Sequence, residues 1–323
     1  MQLRALLIAA LAAVLMNSAQ AQAQNWPTKP VTLIVPFPPG GGTDAFARPL
    51  SAQLSKQLGR QVIIDNRGGA GGTVGASIAA KAAADGYTFF VGAVHHAIAP
   101  SFYPKLDYNI ETDLVPLTVI ANPPQIVVIN PGRVKVDDFK AFMTLLRASP
   151  GKLNYASAGN GTSHHLAGEL FKQQSATFIV HIPYRGAGPA LQDLISGNVD
   201  MMFDGLGSSA QHIRAGRIKA LAVAAPKRSP AFPNVPTSAE VGMPDYVVST
   251  WYGIWGVKGT PQPILDRMHA EVVKAVNSPE LKEIWASNGS DTATMSQQDF
   301  AKFLSSEIKR WAAVTKSSGA KLD

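Results

Sequence analysis

The chain has 323 residues, a formal charge of +7, 46% hydrophobic and 16% charged residues, and no cysteine. This composition excludes a disordered chain, a disulfide scaffold, a thiolate metal centre and a cysteine nucleophile. Lysine and arginine are scattered rather than gathered into a run, which reads as a basic surface and not as a nucleic-acid-binding face, and the length suffices for two domains with their own cores.

Met1 to Arg4 gives a basic start, Ala5 to Met16 an apolar run, and Asn17 to Gln24 an Ala/Gln tract with A-x-A cleavage options. That is the plan of a secretory signal peptide over residues 1–23, cleaved near Ala21 or Ala23. The run is shorter than the roughly 20 residues that span a bilayer. With Arg4 removed the charge is 7 − 1 = +6, and an exported, soluble protein is expected.

Val31–Val35 is an apolar strand candidate, followed by a glycine turn and a helix carrying Phe46, Leu50, Leu54 and Leu58 on one face. Gly59 ends that helix, and Pro49 inside it should kink it or push its start downstream. Val62–Ile64, an Ala-rich helix stopped at Asp85-Gly86, and Tyr87–Val91 continue the alternation. Apolar strands alternating with helices predict parallel βαβ units buried on both faces.

The pattern restarts at Gln125–Ile129, followed by a helix over 137–146, a strand at Asn154–Ser157 and a helix with Leu166, Leu170 and Phe171. Further segments reach Val223, and a proline-rich loop spans 226–236. Val247–Val257 is a long extended stretch. Two helices, 263–276 and 296–315, close the chain, the second opened by a capping-box pair, Ser296 and Asp299. Two α/β lobes follow: residues 24–123 plus 249–323, and residues 124–248. The chain crosses near 122–125 and returns near 247–250.

Two loops carry the functional reading. Pro36-Phe37-Pro38-Pro39-Gly40-Gly41-Gly42-Thr43-Asp44 follows a strand and opens a helix, at the carboxyl edge where α/β sheets bind ligands. Its glycines leave backbone N–H groups uncovered, and a helix N-terminus adds partial positive charge. Ala158-Gly159-Asn160-Gly161-Thr162-Ser163-His164-His165 repeats the arrangement in the other lobe, adding two hydroxyls and two imidazoles. Facing each other, the loops would make a cleft of N–H and O–H donors suited to a carboxylate, with no lysine or arginine in either; Arg185 is the nearest cation in sequence.

Other patterns carry less. Gly69 to Val74 fails the dinucleotide spacing, because Val74 stands where the third glycine belongs. The pairs His95-His96 and His164-His165 lack a metal-site pattern and read as hydrogen-bonding histidines. Ser163 beside His164 is not spaced as a nucleophile and base. No metal, cofactor or catalytic residue is expected.

Taken in order, Pro36-Phe37-x-x-Gly40-Gly41-x-x-Asp44, Asp65-Asn66-Arg67-x-Gly69-Ala70-Gly71-Gly72, Asp85-Gly86-Tyr87-Thr88 and Gly159-x-Gly161-Thr162-x-x-His165-Leu166 form a signature. Pro183-Tyr184-x-Gly186, Phe203-Asp204, Pro236-Thr237, Trp251-Tyr252-Gly253 and Thr260-Pro261 complete it. With these residues the mature chain resembles the substrate-binding proteins of tripartite tricarboxylate transporters, the Bug or TctC-type family. The resemblance implies a type II periplasmic-binding-protein fold, a two-lobed Venus flytrap with a two-strand hinge. It further implies a monomer in the periplasm, a small carboxylate ligand (dicarboxylate, amino acid or aromatic acid), and delivery to membrane permease subunits. Carried over by position, Phe37 to Asp44 and Ala158 to His164 seat the carboxylate, His95 and His96 flank its variable end, and Asp204 lies on the far wall. The expected ligand contacts are therefore Phe37, Pro38, Gly40, Gly41, Gly42, Thr43, Asp44, His95, His96, Ala158, Gly161, Thr162, Ser163, His164 and Asp204. The chain departs from the family pattern at Pro38-Pro39, at Ala99, and at Gly205 and Gly207. Two other roles fit the same residues: a sensor module presenting its ligand to a signalling receptor, and a hydrolase using Ser163.

Overall fold

The computed structural model describes residues 25–318 and 320; the expected signal segment, residues 1–23, lies outside the described residues. Among the described residues ten strands form two five-stranded sheets. The first contains β1 (Val31–Val35), β2 (Val62–Asn66), β3 (Thr88–Ala93), β4 (Leu114–Ala121) and β10 (Tyr252–Val257), in the order β2-β1-β3-β10-β4. The second contains β5 (Gln125–Ile129), β6 (Asn154–Ser157), β7 (Val180–Pro183), β8 (Met201–Gly205) and β9 (Lys219–Val223), in the order β7-β6-β8-β5-β9.

The expected parallel βαβ units are present, with β1 parallel to β2 and β3 and β6 parallel to β7 and β8, and each sheet also takes in one strand of opposite direction. β10 runs antiparallel to β3 and β4, and β5 antiparallel to β8 and β9. Each is the strand that arrives from the other sheet. β4 runs parallel to β3 and ends on the side facing the second sheet. The chain therefore enters the second sheet at the facing edge and must run away from it, against its neighbours. β10 repeats this on the way back. The two crossing segments are bonded to each other, Gln125 N–H to Val248 O at 2.9 Å and Thr250 N–H to Pro123 O at 3.0 Å.

The remaining strands end at the facing edges, and helices begin there. These are α1 (Gly42–Leu58), α3 (His95–Phe102), α5 (Ser163–Ser175), α6 (Ala187–Ser196) and α7 (Leu206–Arg214); α2 (Thr73–Ala80) and α4 (Phe139–Ala148) complete the set before the C-terminal helices. Helix α1 buries Phe46, Leu50, Leu54 and Leu58 as its spacing predicts, and Gly59 ends it in the left-handed conformation, φ 62°. It begins at Gly42 with Pro49 inside, so the proline does not move its start downstream. The Ala-rich helix stops at Ala80, short of Asp85-Gly86.

Three helices close the chain instead of two: α8 (Gln262–Val276), α9 (Pro279–Ser287) and α10 (Gln297–Ser318). Helix α9 carries legible start signals. Ser278 Oγ accepts the Leu281 N–H at 3.3 Å, and Pro279 occupies the first turn, where its missing N–H costs nothing. At the start of α10, Ser296 Oγ accepts the Asp299 N–H at 3.0 Å and its own O–H donates to Asp299 Oδ2 at 2.7 Å.

One apolar cluster covers the outer face of the first sheet under α1, α8 and α9, and another lies between the second sheet and α6 and α7. A third is continuous across both sheets, including Phe90, Trp255 and Phe300 with Phe171, Phe203 and Tyr246. Glu307 of α10 ties this cluster to the return crossing. Its Oε2 accepts from Trp251 Nε1 at 2.8 Å and Trp311 Nε1 at 3.0 Å, and Arg310 donates to Oε1 at 3.1 Å. Removing the carboxylate strands two buried indole N–H groups, each costing about 1–3 kcal/mol. Glu307→Ala is therefore expected to lower the unfolding free energy by about 2 kcal/mol or more, measured by denaturant titration, whereas Arg310→Ala, whose side chain is half exposed, should cost under about 1 kcal/mol.

Candidate ligand-binding site

The first loop is held from behind. Asp44 Oδ2 accepts from the Gly40 N–H at 3.1 Å and Arg48 Nε at 2.7 Å, and Oδ1 accepts from Asn66 Nδ2 at 3.1 Å. Asn66 Nδ2 also donates to Phe37 O at 2.8 Å. Both Asp44 oxygens are thus committed to the loop itself. No side chain caps the first turn of α1, so the N–H groups of Gly42 and Thr43 remain available. Position 42 requires glycine for space, since a Cβ there would overlap the Tyr252 hydroxyl.

The second loop is closed on itself. Ser157 Oγ accepts the Gly159 N–H at 3.0 Å, Thr162 Oγ1 donates to Gly159 O at 2.7 Å, and His165 Nδ1 accepts the Gly161 N–H at 3.2 Å. Ser163 Oγ accepts from Gln125 Nε2 at 3.0 Å, and the same amide donates to Thr250 Oγ1 at 3.1 Å. The Thr162 and Ser163 hydroxyls, expected to meet a ligand, serve the loop and the two crossings instead. Ser163 Oγ is engaged by the Gln125 amide and lies 3.4 Å from Thr250 Oγ1, while the neighbouring His95 imidazole is bonded to the Ser163 backbone N–H and not to the hydroxyl. A third strand–glycine–helix junction joins them, where Gly186 at φ 136° precedes α6 and no side chain caps its first turn.

These junctions enclose one cavity lined by Phe37, Gly41, Gly42, Thr43, His95, Ala158, His164, Ala187 and Tyr252. Its enclosed space is about 10 Å³, room for about one water and far below the roughly 300–1,000 Å³ of common ligand pockets. The lobes touch around it. Tyr103 Oη donates to Asn160 O at 2.7 Å, and Gly188 packs so close to the Pro39 carbonyl that a Cβ would overlap it. The cleft is closed.

Of the fifteen expected contacts, Phe37, Gly41, Gly42, Thr43, His95, Ala158 and His164 line the cavity. Pro38, Gly40, Asp44, His96, Gly161, Thr162, Ser163 and Asp204 stand outside its lining. His96 turns away, its Nδ1 at 3.0 Å from Ala93 O and its Nε2 at 3.3 Å from Gly72 O. Gly161 packs against Phe102, and Pro38 against Gly186 and Gly68. Asp204 lies one layer behind, with Oδ1 at 3.7 Å from His164 Nε2.

His95 meets Phe37 edge to face, ring centres 5.3 Å apart, and meets His164 likewise at 5.5 Å. Its Nδ1 accepts the Ser163 N–H at 3.1 Å, which puts its proton on Nε2. Burial holds the pKa of His95 well below the usual imidazole range, with His164 and His96 adding to the effect. Burial also lowers His164, partly opposed by Asp204, and raises the Tyr252 hydroxyl. The lining is therefore neutral. It offers uncapped helix N-termini, an imidazole N–H, a threonine hydroxyl and a phenol, a set of donors with no lysine or arginine. That is anion-binding chemistry.

Residues 46–320 match the tripartite tricarboxylate transporter family receptor, TctC. The chain belongs to this family. It is 40% identical over 303 residues, 93% of this chain and 90% of the relative, to the UPF0065 protein of the tcbD-tcbE intergenic region of Pseudomonas sp. strain P51. Its fold superposes on the periplasmic binding protein BugD with a TM-score of 0.86 at 31% identity, covering 92% of this chain and 99% of BugD. Rhodopseudomonas palustris Rpa4515 with adipate gives 0.88 at 36%, covering 92% and 100%, and MatC of the same species with bound malate gives 0.83 at 32%, covering 90% and 99%. The chain is accordingly a solute-binding protein with the two-lobed periplasmic-binding-protein fold, in a family of receptors rather than enzymes.

Sequence reasoning missed two lining residues of this TctC-type receptor. Ala187 follows Pro183-Tyr184-Arg185-Gly186, a strand–glycine–helix junction like the two that were read. Tyr252 sits just past the return crossing, and only the pairing of β10 between β3 and β4 brings it to the cavity.

The buried imidazoles set a pH dependence of stability. Burial lowers His96 to about 4 and His181 to about 3. The unfolded chain then binds more protons than the folded one below the ordinary imidazole value of 6.5, so stability is complete above that pH and is lost as pH falls toward 4. Calorimetric melting temperatures should be level from pH 8 to 7 and fall steadily from 6.5 to 4, with a shallower fall in His96→Asn.

Proposed function

We propose that this receptor captures a small carboxylate between its lobes and delivers it to the permease subunits of a tripartite transporter. The observation that carries this reading is the convergence of uncapped helix N-termini from both lobes on one small, cation-free cavity. The first turns of α1 and α6 supply N–H donors to the carboxylate, Thr43 and Tyr252 supply hydroxyls, and His95 Nε2–H faces the rest of the ligand, with Phe37 and Ala158 as apolar walls. The adipate and malate of the two related structures support a short aliphatic acid. Because the walls come from different lobes, entry needs opening and capture needs closure.

The test is titration calorimetry against succinate, malate, adipate, glutamate and benzoate, with melting temperatures alongside. At least one acid should bind saturably, without turnover, and stabilise the fold by about 2.7 kcal/mol at a hundred times its Kd. Silence from the whole panel would sink the reading. Tyr252→Phe removes one hydrogen bond to a charged group and should weaken binding roughly 10- to 150-fold (about 1.5–3 kcal/mol). Gly42→Ala, which drives a methyl into the phenol, should weaken it at least as much.

A further inference from the structure

We infer that the bound carboxylate brings a proton with it, held on His164 between the ligand and Asp204; this rests on the capture reading and names the one positive charge in that site. The geometry of Asp204 points to it. The residue is fully buried. Its Oδ2 accepts from Ser208 Oγ at 2.7 Å and Ser209 Oγ at 2.5 Å. Its Oδ1 has no hydrogen-bond partner, and neither does His164 Nδ1, which is also buried. Between them His164 Nε2 stands 3.7 Å from Oδ1, a few tenths of an ångström beyond a hydrogen bond. Two unpartnered buried atoms thus meet at one cavity-lining ring, the Asp204 oxygen beside it and its own Nδ1. A proton from solvent, added to that ring, satisfies both: Nε2–H donates to Asp204 Oδ1 and Nδ1–H is left for the ligand carboxylate.

The groups facing His164 favour this assignment. On α5 itself are His165 and Glu169, with His165 Nδ1 accepting from Gly161 and Glu169 engaged by Tyr155 and Lys172. From α3 comes His95, whose Nδ1 is already an acceptor and would lose that bond on protonation. From β10 comes Tyr252, neutral at any working pH. From β8 and α7 come Asp204 and His212, the latter lowered chiefly by burial and also by Arg217. Asp44 is turned into its own loop by Arg48 and Asn66. Without an anion, burial keeps His164 neutral. A carboxylate at Nδ1 adds a second negative neighbour and reverses that balance. In this arrangement His164 touches the ligand and Asp204 is a positioning residue.

The test is calorimetry at pH 7.5 in phosphate and in Tris, whose ionisation enthalpies differ, with whichever of succinate, malate, adipate, glutamate and benzoate binds most tightly. The buffer dependence should report an uptake approaching one proton per ligand, and Kd should tighten by up to about tenfold per pH unit from pH 8 to 7. In His164→Gln the uptake and the pH slope should vanish while weaker binding persists. In Asp204→Asn the uptake should fall, whereas a purely structural role would lower the melting temperature and leave the uptake alone. Binding by the unaltered protein without proton uptake overturns this inference and spares the capture reading; no binding by any acid overturns both.

Discussion

The architecture depends on helix N-termini from two lobes meeting face to face. One uncapped first turn is a weak seat for an anion, worth a fraction of a kcal/mol to about 2 kcal/mol where partly buried. Brought together in a small enclosed space, such turns act in a lower dielectric and with their donors already oriented. Since α1 belongs to one sheet and α5 and α6 to the other, the seat is assembled only when the lobes close. Ligand capture and closure are then one equilibrium, in which the ligand shifts the population by its preference for the assembled seat. Glycine at the contact points makes the approach possible. Gly188 admits the Pro39 carbonyl and Gly207 the Phe46 ring, and a methyl at either would hold the lobes apart, while Gly42 leaves room within its own lobe for the Tyr252 hydroxyl.

The crossings couple this seat to the hinge. Gln125 lies in the outgoing strand and Thr250 in the returning one, and the Gln125 amide donates to Thr250 Oγ1 and Ser163 Oγ alike. The start of α5 is thus bonded to both crossings, and its backbone N–H at Ser163 also reaches His95 in the opposite lobe. A rotation at the crossings moves the loop that carries His164. Behind the hinge, Glu307 fixes α10 to Trp251, so the return crossing is anchored at the very point where it joins the first sheet.

Much of this was legible in the residues. Apolar runs separated by glycine turns located the strands and the helix starts, and the loops at Pro36–Asp44 and Ala158–His165 did reach the cleft. What stayed hidden was the direction in which polar side chains turn. Thr162 and Ser163 sit where a ligand contact is expected, yet a tight glycine loop has carbonyls and N–H groups of its own to satisfy, and the Thr162 hydroxyl goes there while that of Ser163 is taken by Gln125 at the crossings. Asp44 and His96 are spent in the same way, on Gly40 and on the backbone of Ala93 and Gly72. Tyr252 was hidden for a different reason. It is more than two hundred positions from Phe37, and its neighbours follow from an antiparallel strand that hydrophobic periodicity cannot orient. Helix α9 was the avoidable miss, since Ser278-Pro279 is a start signal in plain view.

The absence of lysine and arginine from the lining also bears on how such a receptor cycles. A fixed guanidinium in the cleft would have to be buried unpaired whenever the lobes closed without an anion, at a cost of several kcal/mol. Closure would then be forbidden until the ligand arrived, and release would have to separate a buried ion pair. Neutral N–H and O–H donors lose less on desolvation, so the lobes can sample closure at modest cost and the ligand is held by interactions that let go again. A histidine backed by a carboxylate lies between these extremes. His164 is neutral while the cleft excludes water and becomes charged only beside an anion, so the strongest attraction exists only while the cargo is present. When the lobes open and water returns, the proton and the carboxylate can leave separately, and no permanent charge is left to hold either.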